Sequence, residues 1–166
     1  MPSVSAAVFF GTAAVLAVAV LPGCSRASAA DMQAGDCLKI GGTARYPDAS
    51  EAVCGSPESN YKVVSTVTGS GSCPSDVDSS YTLNSAFSDE SQTVCMDIDW
   101  VVGGCMSVDP EHRTDPVRVD CADSGAPHRQ RVSQVLRDVS AVDQCGSGTG
   151  YPYPERQFTV CVEDVA

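Results

Sequence analysis

The chain has 166 residues and carries 21 acidic against 10 basic side chains, a net charge of −11. So few cations exclude electrostatic capture of a polyanion, so no nucleic acid is expected as a partner; they also oppose direct adhesion of the folded part to anionic lipid. Acidity of this kind keeps a secreted protein soluble, and nine cysteines suit an oxidising compartment where disulfides persist.

In chain order, residues 4–21 are almost continuously apolar and end at Leu21-Pro22-Gly23-Cys24. A run of this kind closing on small residues is an export segment, set aside from fold reasoning. The ending resembles a bacterial lipobox. That resemblance implies cleavage by signal peptidase II ahead of Cys24 after diacylation of its thiol, making residues 1–23 a lipoprotein signal peptide and Cys24 the lipidated anchor. Pro22 departs from the lipobox pattern, and the first basic residue, Arg26, follows the apolar run instead of preceding it. About 18 apolar residues are just enough to span a bilayer, so an uncleaved transmembrane helix is the alternative. Gly-Cys has no purpose in a plain span, and two acyl chains supply the two signals that stable anchoring requires. The expected location is the outer face of the cell membrane. Residues 24–34 are small and polar and read as a tether, whose ten residues after the anchor reach at most about 35 Å.

Eight further cysteines divide into two sets of four within an internal repeat. Unit one, 35–99, runs Gly35-Asp-Cys37, Ala52-Val-Cys54, Val64-Ser-Thr-Val67, Cys73 and Thr93-Val-Cys95. Unit two, 103–166, runs Gly103-Gly-Cys105, Val119-Asp-Cys121, Val132-Ser-Gln-Val135, Cys145 and Thr159-Val-Cys161. Matching cysteines are offset by 68, 67, 72 and 66 positions.

Alternating β-branched and polar residues between Gly, Pro, Asn, Asp and Ser clusters predict strands. They fall at 37–40, 52–54, 61–68 and 93–98 in unit one, and at 105–108, 117–121, 130–136 and 157–163 in unit two. Pro74 at a first helical position, with Asp76 and Asp78 in the opening turns, predicts a short helix within 72–83; unit two has room only for a turn at 139–145. The fold class is small α+β, dominated by antiparallel strands, with two tandem disulfide-stapled repeats sharing one core. A single unit of this size is marginal alone, and Trp100, Val101 and Val102 are expected to pack at the junction. Eight cysteines allow about 105 pairings, but identical closure within each unit leaves three. First with second and third with fourth is favoured: Cys37 with Cys54, Cys73 with Cys95, Cys105 with Cys121, Cys145 with Cys161.

The stretch Asp97-Ile-Asp-Trp-Val-Val-Gly-Gly-Cys-Met-Ser-Val-Asp109, with Thr114-Asp-Pro-Val-Arg-Val-Asp-Cys121 and Pro127-His-Arg-Gln-Arg131, resembles the mycobacterial LppU lipoprotein family. The resemblance spans nearly the whole mature chain and implies an envelope-anchored actinobacterial lipoprotein. Each unit bears a looser resemblance to septum-formation domains, carried by Gly35-Asp-Cys37 in unit one and Pro127-His128 in unit two; unit one has Asn60-Tyr61 where that histidine would stand.

Motifs for catalysis are missing. There is no Cys-x-x-Cys for redox or zinc chemistry and no His-Glu-x-x-His, and Gly146-Ser-Gly-Thr-Gly150 has the wrong spacing for a nucleophile elbow or dinucleotide loop. Asp76 with Asp78 and Asp97 with Asp99 have the alternation of a calcium loop without its terminal Glu, and read as solvated faces. His112 and His128 sit in polar, Pro-flanked loops. Arg113, Arg118, Arg129, Arg131 and Arg137 concentrate basic charge in unit two. A period of two puts Arg129 and Arg131 on one strand face, so His128, Arg129 and Arg131, with Tyr151 or Tyr153, are a possible anion-binding patch; salt bridges to Asp120, Asp123 and Asp138 are the plainer expectation. No catalytic residue, metal or cofactor is expected. The expected function is that of a non-catalytic binding or adaptor lipoprotein contacting an envelope protein or wall component. A structural part in septum or envelope assembly is the alternative, and an envelope hydrolase or thiol exchanger ranks behind both.

Overall fold

Strands with apolar side chains on alternate positions need a face to bury, and here ten of them do so in two sheets. The computed structural model describes residues 32–43, 46–84 and 91–165; the expected signal peptide, Cys24 and the tether up to residue 31 lie outside these. The first sheet contains β1 Cys37–Thr43, β2 Tyr46–Ala52, β3 Tyr61–Thr68, β4 Ser79–Asn84 and β5 Ser91–Ile98. The second contains β6 Cys105–Ser107, β7 Val117–Val119, β8 Arg129–Arg137, β9 Gly150–Tyr153 and β10 Phe158–Asp164. Their orders, β2-β1-β3-β5-β4 and β7-β6-β8-β10-β9, are the same winding used twice, and every pairing is antiparallel.

The duplication extends to irregularities. In β3 the pairing steps from Val63↔Met96 to Ser65↔Cys95, and in β8 from Val132↔Val162 to Gln134↔Cys161, so Val64 and Ser133 are equivalent bulge residues. The Gly35 N–H bonds the Val63 carbonyl and the Val63 N–H bonds the Asp36 carbonyl; Gly103, Val132 and Gly104 repeat both bonds. Val63 therefore corresponds to Val132. The Val-Ser-x-Val motifs, aligned by residue type, are one position out of structural register. The apolar residue that each unit buries decides the match, and both Val63 and Val132 are buried.

Four disulfides close the units in the favoured pattern: Cys37–Cys54, Cys73–Cys95, Cys105–Cys121 and Cys145–Cys161, with Cα atoms 5.0 to 5.5 Å apart. The helix expected within 72–83 is absent. Residues 75–76 form a turn and Ser79–Asn84 is edge strand β4 on β5. Tyr81 and Leu83 pack against the core at a period of two, which a helix could not satisfy. Helical structure among the described residues is one 3-10 turn, Val142–Gln144. The strand expected at 52–54 lies earlier, as β2, because Val53 begins a turn closed by the Ser56 N–H.

Met32, Leu38, Tyr61, Val63, Val94, Met96 and Ile98 form the main core, and Met106 of the second sheet and Val108 just after β6 belong to the same cluster. A smaller cluster holds Val132, Tyr153, Val160 and Val162, and Trp100 and Tyr151 pack against both. One core thus runs through the two repeats. Trp100 fills the junction as expected. Val101 and Val102 do not: they are 37% and 60% exposed, turned outward by the bend in which the Gly104 N–H bonds the Val101 carbonyl.

Candidate functional site

Two polar clusters join the units, and both use the aspartates that the sequence places on solvated faces. Arg156, in the turn between β9 and β10, donates from Nε to Asp76 Oδ1 at 2.8 Å and from Nη2 to Asp97 Oδ1 at 2.9 Å, with Nη1 on the other Asp97 oxygen. Its guanidinium also lies 4.9 Å from the centre of the Tyr153 ring and 5.3 Å from that of Phe158. Asp76 Oδ2 accepts the backbone N–H groups of Glu155 and Arg156. Burial opposes ionisation of Asp76, but the Arg156 guanidinium and these N–H groups outweigh it and hold its carboxyl below the usual range. At Asp97 burial wins over the same arginine, and the carboxyl is pushed up. Arg118 reaches Asp99 at 3.0 Å, with both side chains less than a tenth exposed. Asp99 Oδ2 also accepts the Gly55 N–H and the Ser59 hydroxyl, each at 2.6 Å. Asp120 and Asp123, the expected salt-bridge partners, instead close turns by accepting the N–H groups of Ala122 and Gly125.

The repeat is broken in one place, and a cleft opens there. In unit one β1 and β2 pair along their full length, from Cys37↔Ala52 to Thr43↔Tyr46. In unit two β6 and β7 pair only from Cys105↔Val119 to Ser107↔Val117, which frees residues 108–116 as a loop. Asp109 organises that loop by accepting the N–H groups of Glu111 and Arg113, bonds that lower its pKa. His112 takes a left-handed backbone, φ 52°, uncommon for a residue with a Cβ and characteristic of functional segments. The loop lies against unit one through Tyr61, whose hydroxyl donates to Asp115 Oδ1 at 3.0 Å. The enclosed cleft, about 550 Å³, is lined by Ile40, Gly41 and Tyr61 of the first sheet, Asp78 and Ser79 at the start of β4, residues 112–116 and Tyr151. Asp78 is open to the cleft yet ringed by protein. Burial pushes its carboxyl above the usual value, although the Tyr153 hydroxyl, at 2.6 Å, and the Ile98 N–H, at 2.8 Å, both donate to Oδ2. Burial and the nearby Asp78 charge push the Tyr151 hydroxyl up to about 12; burial and Asp115 raise that of Tyr61.

Comparison with protein-family models, with characterised proteins and with solved structures returns no match. The site therefore rests on its own geometry.

Of the expected binding residues, His128, Arg129 and Tyr151 line a smaller hollow of about 340 Å³ with Gln130 and Asp164. Arg131 and Tyr153 are not part of it. Arg129 is buried, its Nη1 donating to the Cys121 carbonyl at 2.8 Å, whereas Arg131 is exposed. Tyr153 is buried with its hydroxyl on Asp78, accepting the Trp100 indole N–H. The five residues do not form one patch. Among the described residues no group of three or more His, Cys, Asp or Glu is placed to hold a metal ion, and no helix is long and apolar enough to cross a membrane. Asp115 and Arg156 were not marked by any motif, and Asp78 and Tyr61 were noted only for other reasons; the one sequence signal was that unit two fills 108–116 with polar residues where unit one continues a hairpin.

Proposed function

We propose that the protein is an exported, lipid-anchored envelope protein that acts as a non-catalytic binding module, with the cleft between its units as the ligand seat. The observation that carries this reading is the break in the repeat: one hairpin of two is opened into loop 108–116, and that loop walls a cleft against the other unit. Duplicated scaffolds that are rigid everywhere else carry function at such a loop. Four disulfides suit an exported chain, and the Leu-Pro-Gly-Cys sequence and the resemblance to envelope lipoproteins support the anchor at Cys24. Support for binding over catalysis comes from the histidines: among the described residues neither ring of His112 or His128 is hydrogen-bonded to a carboxylate or a hydroxyl. A base oriented to activate a nucleophile needs such a partner.

The test has two arms. Cys24→Ala should move the protein from the membrane fraction to the soluble one and abolish labelling by a fatty-acid analogue. Amide NMR of the isotope-labelled full chain in detergent, titrated with solubilised wall and envelope fragments, should shift residues 40–42, 61, 79 and 108–116. Shifts confined to the outer face of the second sheet would overturn the cleft as the seat.

A further inference from the structure

The chemistry of the cleft selects a class of ligand. We infer that it seats an organic cation, an ammonium group on an aliphatic stem such as a lysine side chain or a diamine. This rests on the cleft being the binding site.

Ionisable acids and bases on the cleft wall are Asp78, Asp115, His112 and Arg113. Arg113 is engaged by other carboxylates: its Nε is 3.0 Å from Glu111 and 4.0 Å from Asp109, and its side chain is 72% exposed to screening solvent. Asp115 has Tyr61 as a hydrogen-bond donor, which is neutral. Asp78 also has only neutral donors, the Tyr153 hydroxyl and the Ile98 N–H, and both bond Oδ2; no donor among the described residues reaches Oδ1. Arg156 is near enough to act on Asp78 electrostatically, but its guanidinium is committed to Asp76 and Asp97; the cleft thus presents two carboxylates that no cation hydrogen-bonds, and one of them has an acceptor oxygen to spare. The rest of the wall fits the stem and head of such a guest. The aromatic side chains of Tyr61 and Tyr151 line the wall, and Ile40 and Ile98 offer apolar surface for methylenes. Space is available at Gly41, where a Cβ would meet nothing within 4 Å. A chain of net charge −11 adds a long-range field that raises the local concentration of cations at such a concavity. Desolvation of Asp78, which opposes its ionisation in the empty cleft, is relieved when a cation sits beside it.

The experiment is isothermal titration of the full chain in detergent, with amide NMR to place the contact. The probes are N-acetyl-lysine methylamide, its uncharged isostere N-acetyl-norleucine methylamide, N-acetyl-glutamate methylamide and 1,5-diaminopentane. Both amines should bind with shifts at 40–42, 61, 79 and 108–116, the norleucine probe at least about tenfold more weakly. Asp78→Asn and Asp115→Asn, which keep an acceptor oxygen for their donors, should each lower amine affinity about tenfold. Should either variant fail to fold, wild-type binding measured from pH 7 to pH 4 supplies the readout, because it must weaken as Asp78 takes up its proton while the amine stays charged. Equal binding of the norleucine probe, or preference for the glutamate probe, in the cleft would overturn the cation and leave the cleft standing as the seat. Amine shifts located elsewhere would overturn both. Comparable affinity for the two amines would assign the ligand to a free amine; tighter binding of the lysyl probe would assign it to a polypeptide, and each of these results supports the ammonium.

Discussion

Replacing Arg156 by alanine should be the most damaging single change to a polar residue in this protein. The side chain is 20% exposed and bridges Asp76 and Asp97, which are 5% and 11% exposed, so its loss strands two largely buried carboxylates. Breaking a buried pair from one side costs about 3–5 kcal/mol. The exposed part of the guanidinium and the two backbone N–H groups that Asp76 keeps place the value near the lower end, and the lost contact with the Tyr153 and Phe158 rings adds to it. We expect a loss of about 3 kcal/mol, or about 10 °C in Tm for a chain of this size. Urea unfolding with the disulfides intact measures it, with the exposed Arg137→Ala as a control that should shift stability by less than about 0.5 kcal/mol. Adding Asp97→Asn to the variant should recover part of the loss, since an amide can stay buried without a counter-charge. If Arg156→Ala unfolds within 0.5 kcal/mol of Arg137→Ala, the seam is held by apolar packing alone and the reasoning fails.

Three further outcomes follow from the geometry. Asp78 and Asp97 have raised folded values, so between the ordinary carboxylate pKa and those values the folded chain holds more protons than the unfolded one. Their contribution to stability must therefore rise as pH falls through that window. Asp76 is lowered, so its contribution is present above the unfolded value and is lost only as pH falls through the folded one. A stability profile by chemical denaturation should accordingly peak at mildly acid pH, and Asp78→Asn should flatten its upper side; an unchanged slope in that variant contradicts the assignment. Gly150→Ala places a Cβ 2.5 Å from the Val160 carbonyl oxygen and 3.2 Å from Cys145 Sγ, and should cost about 2 kcal/mol or more through backbone displacement, whereas Gly41→Ala, which meets nothing within 4 Å, should stay within about 1 kcal/mol. Tyr61→Phe removes the bond to Asp115; about 1 kcal/mol of local stability should go with it, read as faster hydrogen exchange at 111–116 with exchange in β5 unchanged.

The parts of the fold legible in the sequence are those written in a short period or a repeated spacing. Val63, Val94 and Val160 announce strands because burial on one face leaves a period of two. The repeat made the disulfide pattern legible because two units under the same constraint leave only three symmetric solutions. Edge strand β4 was hidden because Pro74, Asp76 and Asp78 just ahead of it read as the start of a helix, and β9 because it contains Pro152, which argues against a central strand but is tolerated at an edge. The seam was hidden for a different reason: Arg156 meets Asp76 across 80 positions, and nothing local distinguishes a buried aspartate from a solvated one. For the same reason the arginines weighed at first were those crowded in sequence; Arg118 was among them, but its partner Asp99 was not foreseen, and Arg156 was passed over. The single-residue slip in aligning Val64 with Val132 came from matching residue types, since both units carry the same bulge and only burial singles out Val63 and Val132.

Asp78 ties the cleft to the seam. Its Oδ2 receives the Tyr153 hydroxyl, and that hydroxyl accepts the indole N–H of Trp100, the residue packed against both core clusters. Tyr153 in turn stacks on Phe158, with ring centres 4.2 Å apart, and both rings lie near the guanidinium of Arg156. A charge placed beside Asp78 in the cleft therefore acts on a carboxylate that is already a hydrogen-bond acceptor for the junction between the units. An occupant that stabilises the ionised form strengthens the bonds from Tyr153 and Ile98, because a charged acceptor binds its donors more strongly than a neutral one. Protonation weakens those two bonds but also removes the desolvation cost, which is the larger effect at Asp78. The duplicated scaffold thus does more than share a core: it places the same aspartate on the wall of the cleft and in the hydrogen-bonded joint between the units.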